Sequence, residues 1–434
     1  MSASIESSRR RRAASSRPAL KYPFERRRGQ LYCDGVALGE IARSVGTPFF
    51  VYSASRIRAA FETVRASFAE AEPLIAYSLK ACSTRRVLEL LNALGSGFDV
   101  TSAGELERAL RAGAPPERIV FAGVGKTDEE LELALRRGIF LFNVESPAEA
   151  RHLNAIAGRL GRRARVALRV NPGVDAHTHR YITTGKKENK FGINLEQVPD
   201  ALAELFRLPH LDVAGLHAHI GSNIHLTDRH AAALGKLLGL RCVFEAHGRP
   251  LELINIGGGF GIDYHQPEHV VDLAAIARSV VPRLERVGAR LIIEPGRFIV
   301  GPAGALVARV TYVKEGAAKN FAILNAGMNV VLRPALYEAW HRIEPVTLRR
   351  GARRVVYDVV GPICESSDFL GKDRQLPALR EGDLLAVLDT GAYCSSMSSQ
   401  YNSHPRPPEV MVDGTQWEII RKGESFEDLI RHEL

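Results

Sequence analysis

Short apolar segments alternate with helix-forming segments through roughly the first 300 residues, and this alternation constrains the fold more than any other feature. The first helical pattern places Ile57, Phe61, Val64 and Phe68 on one face. Strand–helix alternation predicts a parallel sheet with right-handed crossovers. Eight such units favour an α/β fold of the (β/α)8 barrel type over a doubly wound sheet. The predicted strands are residues 74–79, 97–100, 118–122, 139–143, 164–170, 213–217, 251–256 and 290–294.

The pattern changes after Gly301, where most strand-like segments follow one another without a helix-sized segment between them. Such spacing predicts a C-terminal antiparallel β domain, a sandwich or a barrel. The strands are expected at 305–313, 321–324, 354–360, 384–388 and 409–412, with a closing helix at 425–432. The predicted organisation is a basic disordered tail (1–28), a segment that joins the β domain (29–52), the barrel (53–300) and the β domain (301–434).

Positive charge is concentrated at the N-terminus. The 434 residues carry a net charge of +9, and residues 1–28, with nine basic and two acidic side chains, account for seven of those charges. This distribution indicates a solvated tail rather than a nucleic-acid-binding face, although its Ser/Arg bias leaves a transit peptide open. No apolar run approaches the roughly 20 residues that a membrane span requires. A soluble protein without nucleic-acid or membrane partners is therefore expected.

The cysteines argue against a disulfide framework and against a structural zinc site. Their number is odd, they are widely spaced, and no CxxC motif occurs. The pattern indicates a reducing compartment, the cytoplasm. The five residues are Cys33, Cys82, Cys242, Cys364 and Cys394.

Chemically competent residues follow several predicted barrel strands, which is where barrel enzymes carry their active sites. They are Lys80 after the first strand, Arg169 and Asn171 after the fifth, His217 and His219 at the sixth, the glycine-rich residues 257–261 after the seventh, and Glu294 and Arg297 after the eighth.

Each of these features has two interpretations. Lys80 is either a surface lysine or a desolvated amine whose pKa is lowered so that it becomes a nucleophile. The spacing of His217 and His219 allows zinc, but no third ligand accompanies them, and stacking of an imidazole on a cofactor ring is the alternative. Glu294 and Arg297 form either a surface ion pair or the partners of a protonated ring nitrogen and an anion.

The glycine-rich segment and Cys364 are weaker signals. Residues 257–261 do not match the dinucleotide fingerprint and form either a flexible turn or a backbone nest for phosphate. Cys364 lies far along the chain from the barrel, and a small buried apolar side chain is its ordinary role.

Taken in order, the motifs resemble those of one family. They are Tyr77-x-x-Lys80, His219-Ile-Gly-Ser222, Gly257-Gly-Gly259, Glu294-Pro-Gly-Arg297, Gly361-x-x-Cys364-Glu365-Ser366 and Gly391-Ala-Tyr393, supported by residues 183–192, Gly327-Met-Asn329, Arg333-Pro-Ala-Leu-Tyr337 and Tyr401-Asn402. From about residue 30 onward the chain resembles the alanine-racemase-like, pyridoxal-phosphate-dependent amino-acid decarboxylases. The resemblance implies a pyridoxal-phosphate-binding barrel with a C-terminal β domain, and a homodimer whose active site lies at the subunit interface.

The resemblance also implies roles for single residues. Lys80 would bind the cofactor covalently, His219 would stack on its ring, and the partner subunit's Cys364 would donate a proton to the α-carbon. Glu294 would pair with the protonated ring nitrogen. The other cofactor-binding residues would be Asp99, Ser222, Gly258, Gly259, Pro295, Gly296, Arg297 and Tyr393, and the substrate would meet Arg297, Arg333, Tyr337, Glu365 and Tyr393.

The implied reaction is the decarboxylation of meso-2,6-diaminopimelate to L-lysine and carbon dioxide. Arg333 and Tyr337 suit a distal carboxylate, and Glu365 suits a distal ammonium, whereas lysine or ornithine would leave a buried guanidinium unpaired. Another carboxylated amine, such as carboxynorspermidine or a carrier-bound glutamyl group, and a non-catalytic regulator remain the alternatives. The chain departs from the family pattern at Ser78, Cys82, Asn223, Asn325 and Val330.

Overall fold

The computed structural model describes residues 20–175, 190–266 and 270–434. Part of the 183–192 motif and most of the basic tail therefore lie outside the described residues. The strands are β1 Phe24–Arg27, β2 Gln30–Cys33, β3 Val36–Ala37, β4 Phe49–Ser53, β5 Leu74–Ser78, β6 Gly97–Val100, β7 Ile119–Phe121, β8 Leu141–Val144, β9 Ala164–Asn171, β10 Ile193–Asn194, β11 Leu211–His217, β12 Leu253–Asn255, β13 Arg290–Ile293, β14 Gly304–Lys314, β15 Asn320–Leu324, β16 Ile343–Pro345, β17 Arg354–Val360, β18 Phe369–Pro377, β19 Leu384–Leu388, β20 Glu409–Asp413 and β21 Gln416–Arg421.

Helices connect most of the parallel strands. Some of these helices begin with side-chain caps: Ser102 accepts the backbone N–H of Glu105, and Thr127 forms a capping box with Glu130. No helix in the described ranges is both long and apolar enough to cross a bilayer. The helices are α1 Leu38–Val45, α2 Ala54–Ser67, α3 Arg85–Ala93, α4 Ala103–Arg111, α5 Asp128–Arg137, α6 Pro147–Arg159, α7 Val198–Leu205, α8 Asp228–Gly239, α9 Arg241–Ala246, α10 Leu273–Glu285, α11 Arg297–Val300, α12 Arg333–Tyr337 and α13 Phe426–Ile430.

Eight parallel strands close into a barrel, which confirms the predicted fold class. Their order is β5-β6-β7-β8-β9-β11-β12-β13, and β13 pairs back onto β5 through Ile292 and Leu74. The short strand β10 is added to β9 outside this ring. Because every strand runs in the same direction, the carboxyl ends of all eight meet at one rim of the barrel.

Alternation along the strands fills the barrel with small and branched apolar side chains. The interior cluster is Leu74, Ala76, Val120, Leu141, Ala167, Ala214, Leu253 and Ile292, and the intervening residues pack outward against the helices. A β-bulge between Val213 and Gly215 shifts the alternation in β11, so that Ala214 and His217 both face inward.

The second sheet follows the barrel in sequence and is mostly antiparallel. Its main order is β18-β17-β15-β14-β4-β20-β21, with β19 pairing to β14 and β16. Two pairings are parallel, β15 with β17 and β20 with β4. Strand β4, which precedes the barrel in the chain, lies between β14 and β20 in this sheet.

The prediction of a disordered tail through residue 28 is wrong at its end. Strand β1 pairs antiparallel with β2 from Phe24 to Arg27. Arg27 is exposed and Arg26 is partly buried against Glu344, whereas Phe24 packs into a core with Leu31 and Cys33. One buried aromatic side chain outweighs the charged composition of the surrounding residues.

Candidate active site

Polar side chains occupy the last inward-facing position of several barrel strands. Two residues beyond an interior side chain, the same alternation points a polar group toward the rim after Ala76, Leu141, Ala167, Leu253 and Ile292. The apolar floor of the barrel therefore carries a ring of buried polar side chains at its carboxyl end, namely Ser78, Asp99, Asn143, Arg169, Asn255 and Glu294.

Lys80 lies on a short 3-10 turn directly after β5. Its Nζ donates to Oδ2 of Asp99 over 2.7 Å, and the Ser78 hydroxyl donates to the same oxygen over 2.8 Å. Burial acts to lower the pKa of Lys80, but the negative charges of Asp99 and Glu294 outweigh it and hold the pKa above its ordinary value. The expectation of a lowered pKa is therefore wrong for the amine paired with Asp99.

Asp99 is completely buried, and in its case burial has a larger effect on the pKa than the neighbouring charge. Burial raises the pKa of its carboxyl to about 6, although the Lys80 ammonium acts to lower it. Oδ1 of Asp99 has no hydrogen-bond partner among the described residues. Lys80 and Asp99 thus form a buried pair in which one carboxylate oxygen is left for a further donor.

Glu294 follows β13 and is held as a carboxylate. Its Oε1 accepts from the amides of Asn143, over 3.2 Å, and Asn255, over 2.6 Å. Its Oε2 lies 3.4 Å from Nε2 of His217. Burial acts to raise the pKa of Glu294, but His217 and Lys80 outweigh it and hold the pKa well below its usual range. A buried anion is therefore fixed inside the barrel rim.

His219 faces the glycine-rich segment rather than a metal site. Its Nδ1 accepts the backbone N–H of Gly258 over 3.2 Å, so the proton of the neutral ring lies on Nε2. Burial, together with Lys80 and Arg169, holds the pKa of His219 well below its ordinary value. Within the described residues, no group of three or more His, Cys, Asp or Glu side chains is arranged to hold a metal ion.

The glycine-rich segment approaches the rim too closely for any side chain. A Cβ at Gly258 would lie 1.9 Å from the Glu294 carbonyl oxygen, and one at Gly259 would lie 2.3 Å from the Gly221 carbonyl oxygen. Gly259 also has a φ of 82°, which favours glycine. His230 binds the Gly258 carbonyl over 2.9 Å from below. The segment is therefore a tightly packed turn without side chains, which lets its backbone come close to a group bound at the rim.

Two buried guanidinium groups meet at one tyrosine. Arg297, at the start of α11, donates to the Tyr264 hydroxyl over 2.6 Å and to the Ser222 hydroxyl over 2.9 Å. Arg333, in α12, lies 4.7 Å from the Tyr264 ring centroid and donates to Nε2 of His341 over 2.8 Å. None of the carboxylates in the described ranges forms an ion pair with either arginine.

Tyr393 completes this side of the rim. Its ring lies 4.7 Å beneath the Arg297 guanidinium, and its backbone N–H donates to the Ala81 carbonyl over 2.8 Å. The φ of Tyr393 is 57°, a left-handed conformation that non-glycine residues seldom adopt. The loop after β19 therefore folds back onto the turn that carries Lys80.

Two predicted residues bond outside this cluster. Cys364 and Glu365 are exposed. Besides backbone hydrogen bonds to Ile363 and Asp368, the Cys364 amide donates to Asn402, and the Glu365 carboxylate accepts from Tyr401 and Ser367. Tyr337, at the end of α12, is half-buried. The predicted groups that the structure brings together are therefore those of the barrel rim together with Arg333 and Tyr393.

Several residues of the site were not predicted from the sequence. Asn143, Asn255 and Tyr264 bind Glu294 or Arg297, and His341 binds Arg333. The two asparagines stand at the carboxyl ends of predicted strands, a position that could have indicated them. Tyr264 and His341 carry no comparable signal, because only the folded chain shows that they lie together.

Comparison with known proteins defines the class. Residues 54–301, more than half of the chain, match the family described as "Pyridoxal-dependent decarboxylase, pyridoxal binding domain". The chain therefore belongs to the pyridoxal-dependent decarboxylase family, as its barrel and rim residues suggest.

Within that class, the chain groups with the diaminopimelate decarboxylases. It is 43% identical over 417 residues to the diaminopimelate decarboxylase of Aquifex aeolicus, across 96% of this chain and 98% of the relative. The Vibrio cholerae protein of the same name is 45% identical over 402 residues, across 92% and 96% of the two chains. The crystal structure of diaminopimelate decarboxylase from Helicobacter pylori complexed with L-lysine is similar at a TM-score of 0.87 and 41% identity, across 91% of this chain and 98% of that one.

Proposed function

We propose that this chain decarboxylates meso-2,6-diaminopimelate to L-lysine and carbon dioxide with pyridoxal phosphate as cofactor. The observation that carries the proposal is the pair of buried guanidinium groups, Arg297 and Arg333, that share Tyr264 without a described carboxylate partner. A buried cation that lacks a counter-ion is costly. Two anions, a cofactor phosphate and the distal carboxylate of the substrate, would neutralise the two arginines.

The rim residues fit the cofactor in chemical type. The Lys80 amine suits its aldehyde, the Glu294 carboxylate suits a protonated ring nitrogen, and the His219 imidazole suits the ring face. Asp99 retains a free buried oxygen beside the Lys80 amine. When bound, pyridoxal phosphate supplies an electron-accepting ring that stores the electron pair left behind by carbon dioxide.

The proposed phosphate site consists of backbone amides and one guanidinium. Ser222, Gly258 and Gly259 contribute from the barrel loops, and Arg297 contributes its side chain. Pro295 and Gly296 set the entry to α11, where a Cβ at residue 296 would lie 3.1 Å from the side chains of Ser78 and Ala81. Tyr393 supports this site through its contact with the Arg297 guanidinium.

The charges of the rim residues suit the chemistry proposed for the bound cofactor. Glu294 remains ionised within the rim, so a ring nitrogen bound there keeps its proton and its capacity to accept electrons. The Lys80 ammonium donates to Asp99 over 2.7 Å, so the carboxylate is placed to take a proton from the amine when Lys80 reacts. The neutral His219 adds no positive charge to the ring face.

Substrate selection is assigned to the distal end. Arg333 and Tyr337 would bind the second carboxylate, and Glu365 would bind the second ammonium. The departures from the family pattern do not oppose this choice. Asn325 uses its side chain on Thr47 and on the backbone N–H of Arg309, away from Arg333, and Val330 is buried in the hydrophobic core.

The proposed assembly is a homodimer with composite active sites. Cys364 and Glu365 are exposed within one chain, so a second copy would have to present them to the Lys80 cluster. The thiol would then hold at Sγ the proton that the α-carbon receives. All five cysteines are free, which supports the cytoplasm as the compartment.

The test is carbon dioxide release from meso-2,6-diaminopimelate, lysine, ornithine and arginine by the purified protein loaded with pyridoxal phosphate. Release from diaminopimelate alone, with lysine as product, and its loss in Lys80→Ala would support the proposal. Release only from another amine would mean that the residues assigned to the distal end of the substrate are assigned wrongly. Absence of cofactor absorbance after loading, or turnover by Lys80→Ala, would overturn the proposal.

A further inference from the structure

The loop of residues 361–367, here called the Cys364 loop, is held by hydrogen bonds to two consecutive backbone amides. The backbone N–H of Ile363 donates to Oδ2 of Asp368 over 2.7 Å. The backbone N–H of Cys364 donates to Oδ1 of Asn402 over 3.1 Å. Consecutive amides of the loop are therefore held by two side chains that belong to different segments.

Asp368 ties the Cys364 loop to a second loop. Its Oδ1 accepts the backbone N–H of Met328 over 2.6 Å, and the residue is only 3% exposed. A Cβ at Gly327 would lie 2.3 Å from that oxygen, and a Cβ at Gly361 would lie 2.2 Å from the Gly327 Cα. The two motif glycines thus allow two backbone turns to enclose one carboxylate.

Asn402 reaches the loop from the segment after β19. Its φ is 54°, and the preceding Tyr401 donates its hydroxyl to Glu365. Because Cys364 is exposed, little packing within its own chain fixes the thiol. The hydrogen bonds to the Ile363 and Cys364 amides are what hold the backbone from which Sγ projects.

We infer that Asp368 and Asn402 are positioning residues for Cys364, acting on the Ile363 and Cys364 amides so that Sγ is presented at the α-carbon of a substrate bound to the partner subunit. The inference rests on the proposed function, in which this thiol donates the final proton. In that step the S–H bond breaks, a C–H bond forms at the α-carbon, and the thiolate recovers its proton from solvent. Displacement of a donor by about 1 Å is enough to cost up to a hundredfold in rate.

The first test is a double-mutant cycle on the loaded enzyme. Asp368→Asn should lower kcat by roughly tenfold to a hundredfold and change KM less than kcat, because the thiol takes no part in substrate binding and Glu365, in the same loop, is assigned only to the distal end of the substrate. In a Cys364→Ala background the same change should lower kcat no further. An equal further fall in that background would overturn the inference. Asp373→Asn, at an exposed aspartate of the same domain, is the matched control.

Asn402 provides a second variant that avoids the buried site. Asn402→Gly removes Oδ1 while glycine keeps the left-handed backbone without strain. It should lower kcat about tenfold, and Asn402→Asp, which retains an acceptor oxygen, should remain within about threefold of wild type. Wild-type kcat in Asn402→Gly would remove Asn402 from the inference.

Mixed dimers separate this inference from the proposed function. Lys80→Ala mixed with Cys364→Ala should regain about a quarter of the activity by random pairing, because each mixed dimer holds one intact composite site. Lys80→Ala mixed with Asp368→Asn should regain a similar fraction. In each mixed dimer, the site with an intact Lys80 takes its Cys364 loop from the Lys80→Ala subunit, in which Asp368 is unchanged. Failure of only the second mixture would overturn the inference. Failure of the first would overturn the composite site, and the cycle would then decide the role of Asp368 alone.

Discussion

Replacing Arg333 by methionine separates substrate recognition from folding. The guanidinium is 5% exposed, rests against Tyr264, and donates one hydrogen bond to the neutral His341. Burial and the Arg333 charge hold the pKa of His341 well below its ordinary value, so the pair carries a net positive charge. Methionine keeps most of the side-chain length and removes that charge.

The expected cost falls on the substrate rather than on the free enzyme. A buried carboxylate deprived of its charged partner loses about 3 kcal/mol, the lower end for such pairs. That loss corresponds to roughly 150-fold in kcat/KM for diaminopimelate. In the free enzyme, the lost hydrogen bond to His341 costs about 1 kcal/mol, and removal of a buried unpaired charge offsets it.

Steady-state carbon dioxide release and thermal unfolding together measure the two effects. Arg333→Met should lower kcat/KM for diaminopimelate by the stated factor while its melting temperature stays within a few degrees of wild type. Arg353→Met, at an exposed arginine of the β domain, should leave both quantities unchanged. An Arg333→Met enzyme with wild-type kcat/KM would refute the assignment of Arg333 to a distal carboxylate.

Two further predictions concern stability and the cofactor site. Burial raises the pKa of Asp389 to about 7, so the native state keeps a proton that the unfolded chain loses, and stability falls as pH rises from about 4 to about 7. Asp389→Asn, which still accepts from the Tyr22 hydroxyl, should raise the melting temperature more at pH 8 than at pH 4.5, and equal shifts would contradict this reasoning. Gly258→Ala places a Cβ against the Glu294 carbonyl and should weaken pyridoxal phosphate binding at least tenfold in an absorbance titration, whereas Gly239→Ala, where nothing lies within 4 Å, should not. Unchanged cofactor affinity in Gly258→Ala would remove the glycine-rich segment from the proposed phosphate site.

The barrel could be predicted from sequence because its strands are buried on both faces. Strands β6, β17 and β19 begin and end at the predicted residues, and the others differ by a few residues. Strands β1 to β4, β10, β16, β18 and β21 were not predicted, most of them because they are short or carry many polar side chains. The end of the tail was misplaced because charged neighbours hid the single apolar anchor, Phe24.

The site was predictable where a residue type alone indicates chemistry. Lys80, Glu294 and Arg297 stand directly after apolar strands, and that position marked them as candidates. Their electrostatic environment was not predictable, because it depends on which strands are neighbours: Asp99 lies on β6 beside β5, and His217 lies on β11, two strands from Glu294. Lys80 and Asp99 are 19 positions apart in the sequence, whereas the fold places their polar atoms 2.7 Å apart.

Strand β4 has a consequence for biosynthesis. Both of its partners, β14 and β20, are translated after the whole barrel, and all five of its residues are buried in the finished protein. During synthesis the nascent barrel therefore carries an unpaired apolar strand at its N-terminal end. A chain that stops after the barrel would leave that strand available to pair with other chains, so loss of the C-terminal domain should yield aggregates rather than an isolated barrel.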